Sequence, residues 1–129
     1  MERNIYYRSD FMVTEKLVDA DGNPMDLHSA DVELLYRTNG GATMKASCKS
    51  GECTNCYIDE ADSSILHVIF HNHHLGIGRL SREVTINIDN PHFEHDIENV
   101  RFKDYVDTIV LVEFGGSSNN RIVIDAKVL

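Results

Sequence analysis

Three thiols precede a cluster of histidines. Cys48, Cys53 and Cys56 lie in CKSGECTNC, and His67, His71, His73 and His74 follow within SSILHVIFHNHHLGIGRL (63–80). Thiolate and imidazole are the ligands of tetrahedral zinc, and Cys53-x2-Cys56 has knuckle spacing. The second half of such a site is normally a close ligand pair held by a tight turn. Here His71 and His73 flank one residue, and His73 and His74 are adjacent, a poor geometry for chelation by both. An odd cysteine count also argues against a closed disulfide framework. The expectation is free thiols, surface histidines, no metal and no cofactor. A small zinc-binding domain using Cys48, Cys53, Cys56 and one histidine is the alternative.

Other chemistries find less support. DADGN (19–23) begins like a calcium loop, but its glycine falls at the fourth position and Ala30 stands where a bidentate glutamate is needed. There is no nucleophile elbow, no phosphate-binding glycine loop and no paired-histidine zinc helix. A Cys56–His pair has the atoms of a nucleophile and base, yet nothing selects it over other pairings. Glu94, Asp96, Glu98, Asp104 and Asp107 read as a solvated acidic region. No enzyme and no catalytic residue is expected.

The elements that must position these residues have period two. FMVTEKLV (11–18), DVELLYRT (31–38), SILHVIF (64–70), RLSREVTINI (79–88), VDTIVLVEF (106–114) and RIVIDAKVL (121–129) read as strands. Val84, Ile86 and Ile88 share one face, and Glu83, Thr85 and Asn87 the other. In the turn DADGNPMD (19–26), Gly22 supplies positive φ, Asn23 bonds to nearby backbone and Pro24 fixes φ. Asn39-Gly40 is a type I′ hairpin dipeptide. Asn72, His73, Gly76 and Gly78 form a further turn, and GGSSNN (115–120) another. Residues 90–105 are read either as a short helix around 92–99 or as a crossing between sheets. About seven to eight strands at this spacing predict an all-β, antiparallel, immunoglobulin-like β-sandwich. Residues 10–129 form that single domain and 1–9 an N-terminal arm. In the arm, Ile5, Tyr6 and Tyr7 are candidates for contact with a neighbouring subunit.

Charge narrows the partners. Twelve Lys and Arg against 21 Asp and Glu give −9, which repels phosphate backbones and anionic lipid. No nucleic acid and no membrane is expected, and there is no apolar run of 18 residues. MERNIYYRSDF lacks the apolar core of a secretory signal, so synthesis in a reducing cytoplasm is expected.

Three segments together carry a resemblance: DFMVTEKLVDADGNPMDL (10–27), GECTNC (51–56) and IFHNHHLGIGRLSREV (69–84). Over residues 10–88 the chain resembles small virion structural proteins of gut Bacteroidales phages and prophages, including crAss-like phages. Its N-terminal part is similar to the N-terminal domain of phage baseplate upper proteins, an immunoglobulin-like sandwich. Asn72, His73, Leu75, Gly78, Arg79 and Leu80 fall on the family's turn motif, with Asn55 and Cys56 on the segment before it. His71 and His74 stand where relatives often have Asp or Gly, and Cys53 where an aromatic is common. The resemblance implies a non-enzymatic structural protein of the virion, made in the host cytoplasm. It would act in a head fibre, capsid, tail or baseplate as a homo-oligomer and through contacts with other virion proteins. A glycan-binding sandwich is a further alternative, weakened by an aromatic content of 8% and no tryptophan.

Overall fold

Alternation of apolar and polar side chains builds two sheets that share one core. The computed structural model describes residues 3–6, 9–19, 21–112 and 126–128. Its strands are β1 (Arg3–Tyr6), β2 (Phe11–Leu17), β3 (Asp31–Arg37), β4 (Thr43–Lys49) and β5 (Glu52–Thr54). They continue with β6 (Cys56–Ile58), β7 (Ile65–Phe70), β8 (Gly78–Asp89), β9 (Ile97–Val112) and β10 (Ala126–Val128). A six-stranded sheet has the order β1-β9-β8-β3-β4-β5, and a four-stranded sheet the order β10-β2-β7-β6. Pairing is antiparallel except for β1 on β9 and β10 on β2, which are parallel. The protein is an all-β sandwich. Ten strands lie among the described residues against the expected seven to eight, because β1, β4, β5 and β6 fall outside the segments read as strands.

Each layer buries one face. Val32, Leu34 and Tyr36 of β3, Met44, Ala46 and Cys48 of β4, and Leu80, Val84 and Ile86 of β8 enter the core from one side. Phe11, Val13 and Leu17 of β2 and Leu66, Val68 and Phe70 of β7 meet them from the other. The Phe11 and Phe70 rings stack with centroids 4.2 Å apart, and Tyr36 meets Phe70 edge-on at 4.8 Å. Such pairs add specificity of geometry to the area they bury.

Several local expectations change. Asn39 and Gly40 do not have positive φ, and five residues separate the paired Arg37 and Thr43. The two-residue turn lies instead at Ser50-Gly51, with φ of 52° and 83°, between the paired Lys49 and Glu52. Residues 92–99 hold no α-helix. A single 3-10 turn, Glu94–Asp96, leads directly into β9, because Val100, Phe102 and Val106 alternate with Asn99, Arg101, Lys103 and Tyr105. Ile5 is not available to a neighbouring subunit: in β1 it pairs with Leu111 and is wholly buried in the chain's own core. Tyr7 and the stretches 113–125 and 129, which hold much of the last expected strand and the GGSSNN loop, lie outside the described residues. Among the described residues no helix is long and apolar enough to cross a membrane.

Candidate functional site

The histidine cluster is distributed along the seam between β2 and β7. His67, at the middle of β7, lies opposite Thr14 of β2 and Tyr57 of β6 on the outer face of the small sheet. Its Nε2 lies 2.8 Å from Asp59 Oδ1 and its Nδ1 lies 3.0 Å from Thr14 Oγ1. A carboxylate only accepts, so Nε2–H donates to Asp59, and Nδ1 pairs with the Thr14 hydroxyl, which can donate or accept. The Tyr57 ring stacks on the imidazole, with centroids 4.7 Å apart. This bond with His67 is the main reason the Asp59 carboxyl is held below the usual range. Asp59–His67–Thr14 has the connectivity of an acid, a base and a nucleophile. Thr14, however, is only 5% exposed within the sheet, so a substrate has little access to its hydroxyl. The arrangement serves to clamp β2, β6 and β7 together.

At the end of the same seam His71 Nδ1–H donates to Asp10 Oδ2 at 2.7 Å. That bond holds the Asp10 carboxyl down, and the backbone N–H of Asn72 assists at 3.3 Å. Asn72 has φ of 50°, which turns the chain out of β7. His73 is then driven inward to 6% exposure, edge-on to Phe11 and Phe70. Its Nε2–H donates to the Ser9 carbonyl at 2.7 Å, while Nδ1 accepts from the Leu75 N–H at 3.3 Å. His74 is exposed. Gly78 completes the turn with φ of 132°; a Cβ there would lie 2.6 Å from Asn39 Nδ2. Gly76 has ordinary φ and room for a methyl group, 3.8 Å from Thr38 Oγ1. At the other turn, Gly22 has φ of 83° and the Asp19 carboxylate accepts the N–H groups of Asp21 and Asn23, both at 2.9 Å. Pro24 forms a lone antiparallel bridge with Val18.

The thiols do not meet the histidines. Cys48 and Cys53 face each other across the β4–β5 hairpin and form a disulfide. This corrects the expectation of three free thiols, which rested on an odd cysteine count and overlooked a local pair with one residue left over. It also overturns the zinc site composed of Cys48, Cys53 and Cys56, since bridged sulfurs are not thiolate ligands. Cys56 is buried in the other sheet and its thiol donates to the Ser47 carbonyl at 3.2 Å. Burial pushes that thiol up from its ordinary value, away from the reactive thiolate. Among the described residues no three His, Cys, Asp or Glu side chains converge on a metal position.

No family model matches this chain, and no curated protein or solved structure does either.

Two polar features escaped the reading of the sequence. The first joins the sheets. Arg82 of β8, with a side chain 3% exposed, donates through Nη1 to Glu15 of β2, which is fully buried. Its Nε and Nη2 bind Asp104 of β9 at 2.8 and 3.1 Å. Glu15 Oε2 and the hydroxyl of the neighbouring Tyr36 have no hydrogen-bond partner among the described residues. Burial drives the Tyr36 phenol well above its ordinary value, so it stays protonated. The signal was present in the pattern: Glu15 is in phase with Phe11, Val13 and Leu17, and Arg82 with Leu80, Val84 and Ile86. A charge in phase with an apolar face marks a buried partner on the opposite sheet.

The second feature is a cleft of about 390 Å³ on the large sheet, between Thr38 and Asn39 of the β3–β4 loop and Arg79, Ser81, Lys103, Asp104 and Tyr105 of β8 and β9. It lies beside a bulge: Ser81 pairs with Tyr105, but Arg79 pairs with Val110. Such irregularities re-aim side chains at the margin of a sheet. The Arg79 guanidinium rests 4.3 Å above the Tyr105 ring.

Proposed function

We propose that this chain is a non-catalytic structural module of a phage particle, a component of a head fibre, tail or baseplate that works through contacts with copies of itself and with other virion proteins. The observation that carries the reading is the β8–β9 hairpin. Its end leaves Phe93 and Ile97 about half exposed, at 49% and 48%, and Tyr105 is 53% exposed towards its other end. Large apolar groups left in water at defined positions suit a protein that is covered in its working state. The outer backbone edge of β9 before Ile109 has no strand partner among the described residues, which adds a row of hydrogen-bonding groups to the same region. The resemblance over residues 10–88 supplies the virion setting. Light scattering coupled to size-exclusion chromatography, on the chain alone and with the products of neighbouring genes, tests the proposal. A chain that stays monomeric and joins no partner defeats it.

One observation favours glycan binding as a second reading. The Tyr57 ring, 45% exposed and stacked on His67 beside Asp59, offers an aromatic surface with polar neighbours. A glycan array without hits removes it.

A further inference from the structure

The two ends of the β8–β9 hairpin carry opposite chemistry. Residues 89–98 include Asp89, Glu94, Asp96 and Glu98 and no Lys or Arg, around the exposed Phe93 and Ile97. At the other end lies the cleft. Arg79 there has the Tyr105 ring beneath it and no carboxylate within 4 Å among the described residues. Among the described residues Lys103 reaches only Glu83, at 3.9 Å, and shares it with Arg37. Thr38, which lines the cleft, is 7% exposed and its hydroxyl has no hydrogen-bond partner among the described residues. Asp104 also lines the cleft, and both of its oxygens are bound by Arg82.

We propose that the acidic tip of one copy docks in this cleft of a second copy, head to tail. The proposal rests on the assembly reading above and names the surface and the partner. Carboxylates of the tip meet Arg79 and Lys103, and Phe93 lies against the exposed Tyr105 ring. An aromatic anchor among complementary charges is the composition of an energetic centre in protein interfaces. The tip cannot fill its own cleft. Ile97 and Tyr105 stand eight residues apart on one extended strand, roughly 26 Å at the rise of a β-strand. The two surfaces differ, so the contact is heterologous and repeats into a ring or a filament.

Sedimentation velocity on the full chain tests it with two charge-reversed variants, a cleft variant (Arg79→Glu with Lys103→Glu) and a tip variant (Glu94→Lys with Asp96→Lys). All four side chains are exposed, and unchanged thermal melting verifies the fold of each variant. The wild-type chain is expected to self-associate at low salt and to loosen as salt rises. Each variant alone is expected to associate at least tenfold more weakly, and an equimolar mixture to regain association with alternating composition. Association that survives both variants, or a mixture that stays monomeric, overturns this contact and leaves assembly through another surface standing. A wild-type chain that is monomeric throughout overturns it too. The assembly reading then falls as well only if the chain also joins no neighbouring virion protein.

Discussion

Replacing Arg82 by methionine strands the Glu15 carboxylate between the sheets. Glu15 is wholly buried, its Oε1 is bound by Arg82, and its Oε2 has no partner among the described residues. Removing one member of a buried pair costs about 3–5 kcal/mol, because the remaining charge is neither hydrated nor compensated. Glu15→Met acts differently. Arg82 keeps two bonds to Asp104, whose side chain is 43% exposed, so its charge remains neutralised. The lost charge-assisted hydrogen bond, about 1.5–3 kcal/mol, is largely offset by burying an apolar side chain, for a net cost of about 1 kcal/mol. In the double variant Asp104 is left near water and the core gains two apolar groups, so its stability falls within about 1 kcal/mol of wild type. The single effects therefore sum to about 5 kcal/mol and the double effect to about 1, a coupling of about 4 kcal/mol. Urea unfolding followed by circular dichroism, with a constant denaturant slope, measures all four corners of the cycle. Equal costs for the two single variants, or an additive double variant, would refute the asymmetry argued from Asp104.

The Cys48–Cys53 bridge closes a loop of only six residues, so reduction or the Cys48→Ala, Cys53→Ala pair is expected to cost about 2 kcal/mol, read as a lower melting temperature. His73→Ala removes the bonds to Ser9 and Leu75 and opens space against Phe11 and Phe70. A cost of about 2–3 kcal/mol is expected in urea melts. His74→Ala, at an exposed position, is expected to stay within about 0.5 kcal/mol. Stability is also expected to fall in acid. The carboxyls of Asp10 and Asp59 are held below the ordinary range chiefly by His71 and His67, that of Asp26 by the His28 N–H, and that of Asp62 by the Ser64 hydroxyl. A folded value below the unfolded one gives stabilisation that is complete above about pH 4 and lost as pH drops through the folded values. Melting temperatures measured downward from about pH 5 check the sign, and Asp59→Asn is expected to flatten the decline.

The sandwich was legible wherever alternation coincided with strong strand formers, as in Asp31–Arg37 and Gly78–Asp89. Thr43–Lys49 was missed although Met44, Ala46 and Cys48 alternate inward, because alanine, serine and lysine dilute the propensity signal. The start of β9 was missed for a related reason: Pro91 and four carboxylates make the approach look like a loop, while Val100 and Phe102 continue the pattern beyond it. His67 and His71 lie in and at the end of a strand and His73 in the turn after it, but the expectation of surface histidines fails at His73, which is buried against Phe11 and Phe70. Their partners Asp10, Thr14 and Ser9 were out of reach, since they lie more than fifty residues away and register across a sheet is set by packing. The buried ion pair was legible in principle, because two charges sat in phase with apolar faces.

The parallel terminal strands have a consequence for the order in which the chain can fold. Ile5 is a core residue, yet its pairing partner Leu111 leaves the ribosome more than a hundred residues later. The same delay holds for Glu15 of β2, whose edge neighbour is Ala126. Contacts of such long sequence separation close late and slow the search for the native state. Until they close, the outer edges of β2 and β9 are open templates on a nascent polypeptide. β1 and β10 thus join their sheets late, once residues 109–112 and 126–128 have been made, although the β-strands they pair with can already be in place.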